Sequence, residues 1–213
     1  MPSSESPHKK IPKSKKKKFS SFRKDEAFRY LGLTDLQPWT IEVEAIPPSD
    51  FFKERLARLN RHFDLESYEE SKKLLIDAIC DEAIHPCDRL KIWKGAQLES
   101  DRTAGYVDYL VAERKRFLDL PILCIIEAKK DDFEQGLAQC LVEMQACQWQ
   151  NQKADRQLDV LGIVTNGEGW RFYKIIIDGT GYETPLYSMG DLELLLGRLR
   201  YIFELCEQNL TQP

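Results

Sequence analysis

Three charged residues, Asp108, Glu127 and Lys129, have the types and spacing needed to hold a metal ion and to activate water. Asp108 lies in a strand-like run, Tyr106–Val111, and Glu127 directly follows the apolar run 121–126. Because side chains alternate across a strand, Glu127 and Lys129 point to one face, and Asp108 joins them if the two strands are neighbours. Two carboxylates suit a hard divalent cation, and the lysine could orient or help deprotonate a water bound to that cation. Such a group would be sufficient to hydrolyse a phosphodiester.

The same residues resemble the motif of the PD-(D/E)xK nuclease superfamily, whose members share the restriction-endonuclease-like fold. In that motif an Asp on one strand precedes a (D/E)xK on the next. Here Gly105-Tyr-Val-Asp108 carries the first element and Glu127-Ala-Lys129 the second. Val107 stands where the motif usually has Pro, although many members lack that Pro. The resemblance covers about residues 64 to 177, in the order helix, three strands, helix, strand.

The resemblance implies an α/β fold, with a central mixed sheet flanked by helices and an αβββαβ core. It implies a Mg²⁺- or Mn²⁺-dependent nuclease acting on DNA, in restriction, repair or a mobile element. Asp108, Glu127 and the backbone carbonyl of Ala128 would hold the metal, and Lys129 would position the water. A short motif also occurs by chance as a surface Asp and a Glu–Lys pair at a strand end. The alternative functions are a catalytically inactive nucleic-acid-binding or assembly subunit, and a restriction or repair component active only with a partner.

A first helix is predicted near residues 66–85, with Leu75 and Ile79 on its apolar face. Steps of 100° per residue place Glu82 on that face, where a buried acid needs a partner or a cation. In nucleases of the type that the chain resembles, an acid of the first helix often completes the metal shell. Glu82 is therefore the candidate third carboxylate; otherwise it reaches solvent from the last helical turn.

A second helix is predicted from about residue 132 to 150, and Gln135 and Gln139 share one of its faces. Nucleases that this chain resembles often carry a Gln on this helix, beside the (D/E)xK and close to the nucleic-acid backbone. Gln139 matches that position best and Gln135 second, with ordinary polar surface as the alternative.

Charge divides the chain into segments. Residues 1–24 contain nine Lys or Arg and one acid, a net charge of +8, whereas the remainder has −12. So much charge among Ser and Pro predicts a disordered tail. The tail could bind phosphates, direct nuclear import if the source is eukaryotic, or merely solvate the protein. Residues 25–62 are predicted to form a helical and extended N-terminal extension without assigned chemistry, and residues 63–213 the nuclease domain.

Composition excludes several other classes of protein. The 213 residues are 42% hydrophobic, enough for one domain with a substantial core. No apolar stretch approaches the ~18 residues of a membrane helix, and the N-terminus lacks the apolar core of a secretory signal. The expected location is therefore cytoplasmic, or nuclear in a eukaryote. Six cysteines without a C-x-x-C pair argue against zinc and for reduced core thiols. The expected partners are nucleic acid, preferably DNA, and possibly a second copy or another subunit, but no membrane.

Overall fold

The structure is a computed structural model that describes residues 16–129 and 131–211. Within these ranges the α-helices are α1 (Lys24–Leu31), α2 (Asp50–His62), α3 (Glu69–Ile84), α4 (Phe133–Lys153) and α5 (Leu192–Asn209). The strands of the same ranges are β1 (Lys17–Lys18), β2 (Gln37–Pro38), β3 (Leu90–Lys94), β4 (Gln97–Glu99), β5 (Thr103–Tyr106), β6 (Tyr109–Glu113), β7 (Ile122–Ala128), β8 (Val160–Thr165), β9 (Gly169–Ile175), β10 (Gly181–Glu183) and β11 (Tyr187–Ser188).

The strands form one large and one small sheet. The large sheet has the order β2-β10-β9-β8-β7-β6-β3, with β11 also paired to β9, and the small sheet has the order β1-β5-β4. β7 is parallel to β8, whereas β6 is antiparallel to both β3 and β7. The large sheet is therefore mixed. Because helices flank it, the predicted α/β class with a central mixed sheet and flanking helices is confirmed.

β7 lies in the middle of the large sheet and is buried along its whole length. On one face Ile126 packs in a core with residues of α3 and α5; on the other, Ile125 packs with residues of α4. A strand covered on both faces needs a continuous apolar sequence, which explains the run 121–126. Alternation from Ile125 then directs Glu127 to the face covered by α4. A carboxylate therefore enters the interior of the domain.

Local sequence signals fix the ends of the N-terminal helices. α1 ends at Gly32, whose φ of 72° is the left-handed conformation that glycine adopts without a Cβ clash. α2 begins after Ser49, whose side chain accepts a hydrogen bond from the backbone N–H of Phe52. Residues 39–44 form no strand, although Ile41 is buried. The segment follows β2, which ends at Pro38 and pairs with β10.

The prediction of a disordered tail over residues 1–24 is wrong for residues 16–24; residues 1–15 lie outside the described ranges. β1 pairs with β5, and Phe19 and Phe22 are buried in the core that α4 covers. The prediction rested on the charge of the segment and neglected these two aromatic side chains. Their buried apolar surface stabilises the segment against the domain. Lys16 and Lys24 moreover form ion pairs with acids of the domain, at 2.8 and 3.1 Å.

Two further expectations concern the core and the membrane. All six cysteines are free and buried, as the apolar patterns around them predicted. In the part of the chain that the structure describes, none of the helices combines the length and the apolar character required to cross a membrane.

Candidate active site

Asp108 lies at a break between two strands. The sequence predicted one strand through Tyr106–Val111, but the chain leaves the small sheet after β5 and enters the large sheet at β6. At the break, the backbone carbonyl of Asp108 accepts a hydrogen bond from Gly95 N–H at 3.0 Å. Its side chain turns to the neighbouring strand, where Oδ2 accepts a hydrogen bond from Ala128 N–H, also at 3.0 Å. The break thus aims the Asp108 carboxylate at the end of β7.

The structure brings together Asp108, Glu127, Ala128 and Lys129. β6 and β7 are adjacent, with Tyr109 paired to Ile126, so Asp108 adjoins the end of the strand that carries Glu127. The Lys129 ammonium lies 2.6 Å from Oε1 of Glu127. The neighbouring strands that the sequence hypothesis required are therefore present. Two carboxylates and an ammonium converge where β6 begins and β7 ends.

The Glu127 carboxylate is buried, with 1% of its side chain exposed. Apart from the ion pair with Lys129, its oxygens have no hydrogen-bond donor among the described residues. Burial, and then the negative charge of Asp108, raise the pKa of Glu127 to about 7, whereas Lys129 opposes the rise. An additional cation beside this carboxylate would stabilise its ionised form.

The position of Lys129 depends on a close approach of α4. A Cβ at Gly136 of α4 would lie 2.6 Å from Cγ1 of Val164 and 3.1 Å from Cγ of Lys129. The backbone N–H of Lys129 donates to the carbonyl of Thr165 on β8 at 2.9 Å. Burial lowers the pKa of Lys129, but the charge and hydrogen bond of Glu127 outweigh burial, so the pKa is raised. Lys129 is therefore a positioned ammonium group.

The sequence analysis missed Lys73 of α3. Its ammonium lies 2.9 Å from Oδ1 of Asp108, 2.7 Å from Glu70 and 3.9 Å from Glu69. Burial lowers the pKa of Lys73, but hydrogen bonds to Glu70 and Asp108 outweigh burial and raise it. Spacings of three and four residues in a helix signalled the pairs with the two glutamates. Nothing in the sequence showed that the first turns of α3 lie over the start of β6.

The prediction that Glu82 is the third carboxylate of the site is wrong. Its carboxylate accepts hydrogen bonds from Ser49 N–H at 2.6 Å and from Ser49 Oγ at 2.9 Å, at the start of α2. Glu82 follows Lys73 by nine residues along α3, which corresponds to about 14 Å at a rise of 1.5 Å per residue. Helical periodicity identifies a face but not a height along the helix. Lys73, which contacts Asp108, instead pairs with two acids of the first turn of α3, Glu69 and Glu70.

Gln139 of α4 is 7% exposed, and its Nε2 donates to Oε1 of Glu143 at 3.0 Å. Glu143 is fully buried, and its Oε2 has no partner within residues 16–129 and 131–211. Burial, and then the charge of Glu127, raise the pKa of Glu143 well above its usual value, against the hydrogen bond from Gln139. Glu143 therefore holds its proton more tightly than an exposed glutamate does. The second candidate, Gln135, instead donates to the carbonyls of Ser20 and Phe22.

No protein-family model matches this chain, and a search of curated proteins finds no match either. The case for a site therefore comes from its own residues.

The residues at the ends of β6 and β7 fit a hard divalent cation in part. Oxygen donors are what Mg²⁺ prefers, and Glu127 has a buried oxygen without a described partner. The N–H and C=O of one strand residue face the same neighbour, so the Ala128 carbonyl points to the side of Asp108. Among the described residues, however, no three His, Cys, Asp or Glu side chains are arranged to hold a metal. The Lys73 ammonium pairs with the Asp108 carboxylate, so a cation that bound the same oxygen would have to displace the lysine.

Proposed function

We propose that the protein is a Mg²⁺- or Mn²⁺-dependent nuclease that hydrolyses phosphodiester bonds, with DNA as the expected substrate. The observation that carries the proposal is the convergence of Asp108, Glu127 and Lys129 at the ends of two central, adjacent strands. The element order supports it as well. α3, β3, β6, β7, α4 and β8 follow one another, with β4 and β5 inserted and with β7 parallel to β8. That order agrees with the αβββαβ core implied by the motif.

Asp108, Glu127 and the carbonyl of Ala128 would hold the cation. When bound, Mg²⁺ supplies positive charge that lowers the pKa of a coordinated water and stabilises negative charge on the phosphate. The buried position of Glu127 fits this task, because a carboxylate shielded from water gains most from a nearby cation.

Lys129 would act as a donor. Its raised pKa keeps the side chain protonated, so it cannot accept a proton from water at neutral pH. An ammonium in this position would orient a water molecule or a phosphate oxygen by hydrogen bonding, and would offset charge that develops during attack.

Gln139 would support the site from behind. Because its side chain is buried and its amide donates to Glu143, Gln139 would not contact the nucleic-acid backbone directly. The pair would instead fix the surroundings of Glu127, whose charge raises the pKa of Glu143.

A second candidate function is a nucleic-acid-binding or assembly subunit that retains the fold without catalysis. The observation that favours it is the state of Asp108, whose two carboxylate oxygens are occupied by Lys73 and by Ala128 N–H. Such a module would have no need to bind Mg²⁺ or Mn²⁺, so metal affinity separates the two functions.

The test combines calorimetric titration with Mn²⁺ and incubation with plasmid, linear, single-stranded and branched DNA. A nuclease should bind Mn²⁺ and cut at least one of these substrates. Lys129→Met should slow cleavage by about 10²-fold or more, the range for loss of a charge-stabilising donor. Lys153→Met, a change of the same type at the far end of α4, should cut at the wild-type rate. DNA binding without Mn²⁺ binding or cleavage would support the non-catalytic subunit.

A further inference from the structure

The ammonium group of Lys73 is enclosed by carboxylates much as a metal ion would be. It contacts Asp108 at 2.9 Å and Glu70 at 2.7 Å, and Glu69 lies at 3.9 Å. Only 14% of the Lys73 side chain is exposed, so this is not a loosely held surface charge. The backbone carbonyl of Lys73 also accepts a hydrogen bond from the Tyr109 hydroxyl at 3.3 Å, which ties this turn of α3 to β6.

Lys73 and a divalent cation would compete for the same carboxylate. Coordination places a cation about 2.1 Å from a carboxylate oxygen, and Lys73 already contacts Oδ1 of Asp108. Two cations a few ångströms apart repel strongly at a partly buried site. The divalent ion has the greater charge and, unlike Lys73, could also contact the buried oxygen of Glu127 that lacks a described partner.

A route for release is built into the same turn. The carboxylate of Glu70 is 83% exposed and pairs with Lys73 three residues along the helix. The flexible lysine side chain can therefore leave Asp108 and swing toward solvent while keeping Glu70 as its partner. Glu69, freed from the ammonium, would then remain available beside the cation.

We propose that Lys73 is a built-in competitor of the divalent cation: it neutralises Asp108 in the metal-free protein and is displaced when the cation binds. The proposal rests on the nuclease function above, because it assumes a cation at Asp108 and Glu127. It makes Lys73 a residue that sets the metal concentration at which the site fills.

The test is calorimetric titration of the metal-free protein with Mn²⁺. Lys73→Met keeps the length and apolar stem of the side chain but removes its charge, so Mn²⁺ should bind about tenfold more tightly, or about 1.4 kcal/mol. Lys73→Gln should act in the same direction and serves if the methionine variant does not fold. Lys73→Arg keeps the charge and should bind within about threefold of wild type.

Lys53→Met is the matched control, because Lys53 is an exposed lysine of α2 that pairs with Asp50 of the same helix. Its Mn²⁺ affinity should equal that of the wild type, and Asp108→Asn should abolish binding in either background. Unchanged or weaker binding by both neutral Lys73 variants would overturn the competitor role and leave the nuclease proposal standing. If neither the wild type nor the Lys73 variants bind Mn²⁺, the metal site itself fails, and the proposed function fails with it.

Discussion

Glu127→Gln should make the metal-free protein more stable at alkaline pH and leave it unchanged at acidic pH. Glu127 is buried beside Asp108, and its pKa is raised from 4.5 to about 7. The folded state therefore binds a proton at Glu127 more tightly than the unfolded state does. Its contribution to stability is fully present below pH 4.5 and is lost as the pH rises to about 7. Glutamine keeps the shape of the neutral acid and does not ionise.

The size of the effect follows from the two pKa values. At 1.36 kcal/mol per pKa unit, the rise from 4.5 to about 7 is equivalent to about 3 kcal/mol. The pair with Lys129 is already included, because it acts on the same pKa. Above about pH 8, Glu127→Gln should therefore raise the free energy of unfolding by about 3 kcal/mol, and near pH 5 by only about 0.8 kcal/mol.

The assay is urea unfolding in EDTA, near pH 5 and near pH 8.5, followed by the fluorescence of the protein. Trp170 is fully buried and its emission should shift when the fold opens. Only the difference between variant and wild type matters, because all other groups titrate in both. The exposed Glu168→Gln is the control and should change stability little at either pH. Equal stability of Glu127→Gln and wild type across this range would refute the burial of a high-pKa carboxyl at residue 127.

Three further predictions concern other parts of the molecule. Gly136→Ala should destabilise the fold by about 1–3 kcal/mol in urea unfolding, because its Cβ would overlap Val164; adding Val164→Ala should recover part of the loss, and no loss would show that α4 can move away. Glu82→Gln should lower the free energy of unfolding by about 1 kcal/mol through its bonds to Ser49, yet leave Mn²⁺ affinity unchanged; altered affinity in calorimetry would return Glu82 to the site. Deleting residues 1–15, which hold four lysines, should flatten the slope of log affinity for DNA against log salt by up to about 3.6 without altering the melting temperature; an unchanged slope would mean that these lysines do not contact phosphates.

The central juxtaposition was predictable because it depends on short-range patterns. A six-residue apolar run bounded by Pro121 is typical of a strand covered on both faces, and the alternation of Glu127 and Lys129 follows from strand geometry. The neighbouring strand carries Asp108 because consecutive strands are usually adjacent. Ser49 was likewise recognisable as a residue that begins a helix.

What the sequence did not reveal are features set by tertiary distance. Periodicity put Glu82 on an inward face of α3 but could not say that α2 would supply its partner. It also could not place Lys73 over Asp108, because the height of one helix over a strand depends on packing along its whole length. The tail was misjudged for a related reason: Phe19 and Phe22 are buried in a core formed by distant parts of the chain, including α4.

The metal-free site costs the fold stability, and that cost supports a function. Glu127 is buried with one described cation, Lys129; the charge of Asp108 raises the pKa of Glu127, and the charge of Glu127 raises the pKa of Glu143. Structural ion pairs can also shift pKa values, but they usually leave each charge paired. Here an oxygen of Glu127 lies buried without a described donor, although an uncharged residue at this position would relieve about 3 kcal/mol above neutral pH. A domain that needed only stability would gain from losing this carboxylate. The cation proposed at Asp108 and Glu127 would supply the missing partner and would give a physical reason for placing an acid there.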